Sequence, residues 1–260
     1  MSQDFWYNCS RIMKKILILT DFKQACYDSF TYVLDFCRHY GLGAEILHVD
    51  EDDFYIDEVE LRRTEELVSL YRGKMQGGVD MTVKKGEFAE VMGELSRSGK
   101  FTMIIMGTHG RHGFQSLTGS AAARIIVLQD IPVVVVQSKR FAPIKLALLP
   151  IADNIEQYSG EITKMAKLAL QLGIDVKIVC RRGEEAFADT VSQYFGRQIQ
   201  VALSVDYCKD RTFSLQAIEY GEKIGADMFL GFSHEIERTV FAPVLEQLIF
   251  NLALIPVMCC

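Results

Sequence analysis

The amino-acid sequence repeats one order of segments at a distance of about 125 to 130 residues along its 260 residues. Residues 15–20 are matched by residues 145–150, residues 102–105 by residues 227–230, and residues 131–133 by residues 255–257. Because both the order and the spacing of the segments recur, the chain is predicted to contain two copies of one domain. A polar stretch at residues 137–140 precedes the expected boundary, so the domains are predicted at residues 13–140 and 141–260.

Each half alternates short apolar runs with longer segments whose apolar residues recur at helical spacing. The runs, which predict strands, are residues 16–19, 44–48, 80–83, 103–106, 133–136, 146–149, 176–179, 200–205, 228–231 and 257–260. Apolar strands separated by helices indicate a parallel sheet with helices on both faces, and right-handed crossovers restrict each half to a doubly wound sandwich. The predicted fold class is therefore α/β, with two doubly wound parallel-sheet α/β sandwich domains in tandem.

One glycine-rich segment, residues 106–113 followed by residues 118–120, lies between an apolar run and a helix-like segment at residues 121–128. A strand that breaks into glycines and then opens a helix presents backbone N–H groups and a positive helix end, which together suit a phosphate. This loop and the loops after Leu19 and His48 all follow carboxyl ends of strands, where doubly wound sheets bind ligands. The segment lacks the lysine of a Walker motif, which argues against a P-loop NTPase.

The composition argues against several other classes of protein. A net charge of −6 is not typical of a nucleic-acid-binding protein. No run of about 18 apolar residues predicts a membrane span, and residues 1–13 lack the apolar region of a signal peptide. The seven cysteines show no C-x-x-C or zinc spacing, which indicates reduced cysteines in a cytoplasmic protein. The adjacent Cys259 and Cys260 leave a redox-active pair as a further hypothesis.

Segments of both halves, taken together, resemble the universal stress protein family in a tandem form that covers nearly the whole chain. Residues 14–22 are similar to the family's opening strand and Asp-containing turn, residues 47–49 to the end of its second strand, residues 106–110 and 119–125 to its nucleotide-binding loop and following helix, and residues 131–136 to its final strand. The spacer between Gly110 and Gly119 has eight residues, whereas the family's nucleotide-binding pattern is one residue longer.

The resemblance implies an adenine-nucleotide site in the first domain, with ATP as the ligand, with or without Mg²⁺. It implies that Asp21 accepts hydrogen bonds from the adenine amino group or the ribose, and that the backbone of Val49 reads the adenine edge. Gly107 would let the backbone pass close to the ribose and phosphates, and Ser120 would bind the phosphates. The implied binding residues are Thr20, Asp21, Val49, Met106, Gly107, His109, Gly110, Gly119, Ser120 and Ala121.

The same residues also have purely structural interpretations. Asp21 can cap the helix that begins near Gln24, and Ser120 can cap its own helix without a ligand. The glycines can form an empty turn. The shorter spacer can be absorbed at the tip of the loop, or it can move Gly119 out of register with the phosphates.

The second half lacks the features of this site. In a gapless alignment Phe232 stands at the position of Gly107, and Glu235 stands at the position of Gly110. Residues 239–243 occupy the region that corresponds to Gly119 and contain no Gly-Ser pair. At most one nucleotide site per chain is therefore predicted.

No catalytic or metal site is predicted. His109 and His112 have no further His, Cys or carboxylate nearby at ligand spacing. Cys26 lies in the first predicted helix without an identifiable His partner, so nucleophilic catalysis lacks support. The protein is therefore predicted not to be an enzyme, although slow hydrolysis of bound ATP stays open.

The resemblance implies a cytoplasmic nucleotide-binding stress-response protein that acts as a sensor or regulator through its bound state. The resemblance implies that the final strands of two domains pair across a two-fold axis, so residues 133–136 and 257–260 would pair within the chain as an internal pseudo-dimer. Exposed apolar edge strands need such a partner. The alternative function is a scaffold or interaction protein of the same fold with no nucleotide in either half. A homodimer of whole chains and the identity of a protein partner stay open.

Overall fold

The computed structural model describes residues 15–20, 24–51, 58–108, 125–126, 129–137, 140–151, 159–180, 185–195, 200–201, 210–233, 245, 248–249 and 253–260. Within these residues the strands are β1 (Lys15–Leu19), β2 (Gly43–Asp50), β3 (Val79–Lys85), β4 (Phe101–Thr108), β5 (Val133–Gln137), β6 (Leu146–Ile151), β7 (Asp175–Cys180), β8 (Gln200–Val201), β9 (Met228–Gly231) and β10 (Val257–Cys259). The helices are α1 (Gln24–Tyr40), α2 (Glu58–Arg72), α3 (Phe88–Arg97), α4 (Ser159–Leu172), α5 (Glu185–Phe195) and α6 (Asp210–Ile224).

These bounds agree with the predicted apolar runs to within two residues at either end, apart from β8. For β8, residues 202–205 of the predicted run lie outside the described residues. Of the helix predicted at residues 121–128, only residues 125–126 are described, and they are helical.

The described strands form one sheet in the order β3-β2-β1-β4-β5-β10-β9-β6-β7-β8. Every pairing within a half is parallel, whereas β5 and β10 pair antiparallel. The order β3-β2-β1-β4-β5 of the first half therefore recurs as β8-β7-β6-β9-β10 in the second. The predicted tandem of doubly wound domains is confirmed, and the two final strands pair as expected.

The register of the β5–β10 ladder is symmetric. Val135 pairs with Val257, Val134 with Met258, and Val133 with Cys259. Val133 of the first half corresponds to Val257 of the second, so exchanging the halves interconverts the outer two pairs and leaves the central pair unchanged. A pseudo-two-fold axis therefore passes through the pair of Val134 and Met258, and the tandem is an internal pseudo-dimer.

The helices cover both faces of the sheet, and equivalent helices of the two halves share a face. One buried cluster contains side chains of α1 and α2 together with those of α4 and α5. The other contains side chains of α3 and α6. An axis perpendicular to the sheet produces this arrangement, because such an axis keeps each face on its own side.

Aromatic rings of α1 hold the segment that leads into the second half. Phe141 packs with ring-centroid distances of 5.5, 5.9, 5.5 and 6.5 Å against Tyr32, Phe36, His39 and Tyr40 respectively. The hydroxyl of Tyr40 donates a hydrogen bond to the carbonyl of Ile144 at 3.3 Å. The contacts with Tyr32, Phe36 and Tyr40 are edge-to-face, and such contacts help to fix where β6 begins relative to α1. The division of the chain at residue 140 stays a prediction.

Replacing Val134 by aspartate should strongly destabilise the protein. Val134 is 2% exposed at the centre of the β5–β10 ladder, so the variant buries a carboxylate between the two halves. We expect the free energy of unfolding to fall by about 3–5 kcal/mol, measured by urea-induced unfolding.

The matched control is Val83→Asp on the edge strand β3, where the valine is 43% exposed. There the carboxylate reaches water, and the loss should be about 1 kcal/mol or less. Equal losses for the two variants would contradict the placement of Val134 at a buried junction.

Candidate functional site

The carboxyl ends of β2, β1 and β4 mark the point where the strand order of the first half reverses. From β1 the chain crosses to β2 and β3 on one side, and it then continues with β4 and β5 on the other. In open α/β sheets such a reversal of strand order marks the crevice in which ligands bind. Leu19 pairs with Leu47 on one side and with Met106 on the other, so the three strand ends lie level.

The residues directly beyond this level are Thr20 in the centre, with His48 on one side and Gly107 on the other. The N–H of Thr20 donates to the carbonyl of Leu47 at 3.0 Å, and the Thr20 carbonyl oxygen lies 3.0 Å from Nδ1 of His48. Since a carbonyl oxygen only accepts hydrogen bonds, His48 carries a proton on Nδ1. Thr20 is buried, while His48 and Gly107 are half-buried. This row of strand ends is therefore polar, and Gly107 adds no side chain to it.

The sheet brings together those predicted binding residues that the structure describes. These are Thr20, Val49, Met106 and Gly107. The side chain of Met106 belongs to the buried cluster beneath α3, so it packs in the core rather than in the crevice. The other predicted binding residues lie outside the described residues, namely Asp21, His109, Gly110, Gly119, Ser120 and Ala121.

The hydrogen-bonded register of the second half identifies the equivalent positions. In the first half Leu17 pairs with Ile104, which pairs with Val133. In the second half Leu148 pairs with Phe229, which pairs with Val257, the residue equivalent to Val133. Leu148 is therefore equivalent to Leu17. The sequence alignment of residues 15–20 with residues 145–150 places the equivalence one residue earlier in β6, so the register corrects it.

The equivalent row in the second half is apolar and filled. By this register Ile151 stands for Thr20, Cys180 for His48 and Phe232 for Gly107. Each of the three is 1% exposed, and all three belong to one buried cluster. The position of Phe232 agrees with the gapless alignment, and its ring occupies core space at the position where the first half has only a glycine.

Sequence reasoning missed His48 as a residue of the candidate site. Its signal is a polar residue near the end of an otherwise buried stretch of β2, which also suits an exposed strand end. The contact that gives His48 a role is with Thr20, which lies 28 residues earlier in the chain. No local pattern shows a contact at that distance.

Two carboxylates near this edge have structural partners. Asp50 lies 3.9 Å from Nζ of Lys85, and Oε1 of Glu51 accepts a hydrogen bond from the N–H of Phe88 at 2.8 Å. Glu51 thereby satisfies an N–H group in the first turn of α3. The described residues contain no group of three or more His, Cys, Asp or Glu side chains arranged to hold a metal ion, and His109 and His112 lie outside them. No helix in the described ranges has the length and apolar character needed to span a membrane.

Comparison with known sequences assigns the first half to a family. Residues 13–137 match the profile of the family described as Universal stress protein family. No curated protein sequence matches the chain significantly.

Comparison with solved structures supports the fold of the whole chain. The chain is similar to a universal stress protein from Archaeoglobus fulgidus DSM 4304, with a TM-score of 0.66 and 13% identity over 95% of this chain and 96% of that one. It is also similar to a protein of unknown function from Pseudomonas aeruginosa PAO1, with a TM-score of 0.54 and 10% identity over 97% and 94% of the two chains. A universal stress protein solved in complex with cAMP matches 49% of this chain at 14% identity, with a TM-score of 0.40.

The cysteines that the structure describes bear on the hypothesis of a redox pair. Cys259 and Cys260 are buried and form no disulfide, and the same holds for Cys37 and Cys180. Burial raises the pKa of the Cys260 thiol well above its usual range, and it does the same for Cys37. A buried and protonated thiol reacts slowly with disulfides and alkylating agents.

We expect Cys260 to resist alkylation in the folded protein. Iodoacetamide at pH 8 should label it at least about tenfold more slowly in buffer than in urea, because only the thiolate reacts and folding suppresses both its formation and its access. Peptide mass spectrometry at several times measures the two rates. Labelling in buffer as fast as in urea would contradict the burial of this thiol and would favour the hypothesis of a redox-active pair at Cys259 and Cys260.

Proposed function

Because residues 13–137 belong to the universal stress protein family and the second half repeats their fold, we propose that this protein is a nucleotide-binding stress-response protein. The proposed ligand is ATP, with or without Mg²⁺, bound at the carboxyl ends of β1, β2 and β4. The protein would act as a cytoplasmic sensor or regulator through its bound state, without a catalytic residue of its own. The proposal divides the chain into domains at residues 13–140 and 141–260.

The observation that carries this proposal is the contrast between the two equivalent rows of strand ends. In the second half this row is packed with Ile151, Cys180 and Phe232, each 1% exposed. In the first half the same backbone carries His48, Thr20 and Gly107, two of which are only half-buried. Protein cores pack densely wherever nothing requires an opening. The less buried row of the first half lies at the switch point, where this architecture binds ligands.

Within this crevice the proposed roles follow the position of each residue. Val49 lies beyond the end of β1, so its backbone N–H and C=O are available to an adenine edge. Gly107 follows Met106 at the end of β4, where the lack of a Cβ lets the ligand approach the backbone. Asp21 and the segment Gly119 to Ala121 are proposed as the contacts to the nucleoside and phosphates, on the basis of their place in the sequence.

Calorimetric titration of the full chain with ATP and Mg²⁺ tests the proposal. We expect one ATP per chain, because Phe232 fills the equivalent position of the second half. Gly119→Val should weaken ATP binding at least about tenfold, since it adds a branched side chain beside the proposed phosphate contacts. cAMP is a useful second ligand because it tests recognition of the adenosine without a triphosphate.

The matched control is Gly160→Val in the first turn of α4, where an added Cβ would meet nothing within 4 Å. It should bind ATP as the wild type does. Two equivalent ATP sites per chain would contradict the assignment of a single site. No binding at millimolar ATP by the wild type would reject the nucleotide site and favour the scaffold function.

A further inference from the structure

The ladder between β1 and β2 ends one pair earlier than its equivalent in the second half. Between β6 and β7 the last pair is Ile151 with Cys180. Between β1 and β2 the last pair is Leu19 with Leu47. By the equivalence of the two halves, the pair that the first half lacks is Thr20 with His48. The residues at this position differ between the halves, since Thr20 and His48 stand where the second half has Ile151 and Cys180.

The side chain of His48 provides a physical cause. The N–H of Thr20 donates to the carbonyl of Leu47 at 3.0 Å, and this is the last bond of the ladder in the described residues. In a parallel ladder the next bond would run from the N–H of Val49 to the carbonyl of Thr20. That carbonyl instead accepts the Nδ1–H of His48 at 3.0 Å. Cys180, at the equivalent place, has a short side chain whose thiol is a weak donor.

We propose that His48 is a positioning residue for the nucleotide site, which holds the Thr20 carbonyl, ends the ladder early and thereby keeps the N–H of Val49 directed at the ligand. Alternate residues of a parallel strand direct their N–H and C=O groups toward the same neighbour, so Val49 faces the β1 side as Leu47 does. Beyond the end of β1, that side is the crevice at the switch point. The inference rests on the proposed function, because it assigns a ligand to that crevice.

The exposed backbone pair of Val49 confers a preference for adenine. An N–H donor beside a C=O acceptor complements the ring nitrogen and the amino group of the adenine edge. Guanine presents a ring N–H and a carbonyl at the corresponding positions, so both of its groups would meet the backbone group of the wrong kind. His48 therefore affects which base is bound, although it acts through the backbone of Val49.

Three substitutions of His48 separate this role from simple packing. His48→Leu removes the donor to the Thr20 carbonyl. His48→Asn keeps a side-chain N–H, because the amide nitrogen of asparagine lies as many bonds from the backbone as Nδ1 does. His48→Gln moves the amide group one bond further out, away from that position. His39→Asn is the control for the same substitution elsewhere, since His39 is exposed near the end of α1 and its ring packs against Phe141 rather than at the strand ends.

The first measurement is amide hydrogen exchange at Val49, by NMR on the full chain without nucleotide. With the donor removed, the Thr20 carbonyl can accept the N–H of Val49, and positions 20 and 48 then pair as Ile151 and Cys180 do in the second half. Exchange at Val49 should therefore slow by about 3- to 10-fold in His48→Leu and His48→Gln. It should be unchanged in His48→Asn and in the control. A purely structural role would predict faster exchange.

The second measurement is the affinity of each variant for ATP and for GTP, by calorimetry. His48→Leu should lose about 3- to 10-fold of the wild-type preference for ATP, and His48→Asn should retain the preference.

A preference for ATP that is unchanged in His48→Leu would overturn the ligand role. Unchanged or faster exchange at Val49 in that variant would overturn the inference whatever the affinities are. If the wild type binds no ATP, the proposed function and the ligand role fail together, and the exchange result still decides whether His48 ends the ladder.

Discussion

The antiparallel pairing of β5 with β10 is the contact on which the rest of the structure depends. Each strand is short, apolar and buried, and each would be an exposed edge on a separate domain. Their pairing joins the two halves into one sheet, and each of the two buried clusters then contains residues of both halves. The side chain of Gln137, at the end of β5, also donates a hydrogen bond to the carbonyl of Ile249 in the other half. The junction therefore combines apolar burial with a buried polar contact.

The symmetry of this junction makes the two halves comparable position by position. A symmetric ladder means that each strand end of one half has a defined counterpart in the other. The comparison shows that equivalent strand ends carry a polar, partly exposed row of residues in the first half and a buried apolar row in the second. In the second half, burial of Phe232 contributes roughly 2–3 kcal/mol of hydrophobic free energy. In the first half Gly107 has no side chain, so this contribution is absent at the equivalent position. The difference between the candidate site and its counterpart therefore depends on a few side chains, because the backbone fold of the two halves is the same.

Much of the fold could be predicted because each signal is local. Strands buried on both faces are apolar throughout, so runs such as residues 103–106 and 133–136 mark them reliably. The buried aromatic ring at the equivalent position of the second half was also predictable, because Phe232 aligns with Gly107 without a gap. The equivalence of β1 and β6 was predicted one residue out of register. Sequence alignment matches residue types, whereas the sheet matches hydrogen bonds, and apolar strand residues are too alike to distinguish neighbouring registers.

His48 shows the limit of prediction for the site. In the sequence it is one polar residue near the end of β2, and its partner is a backbone carbonyl, which every residue possesses. What the sequence determined by itself is the class of fold, the tandem order and the residue types available at each strand end, because these depend on local apolar patterns and spacing. Only the tertiary structure decided which strand ends lie side by side, which register they take and which carbonyl His48 reaches. Those features depend on contacts between segments far apart in the chain, and local sequence patterns do not predict such contacts.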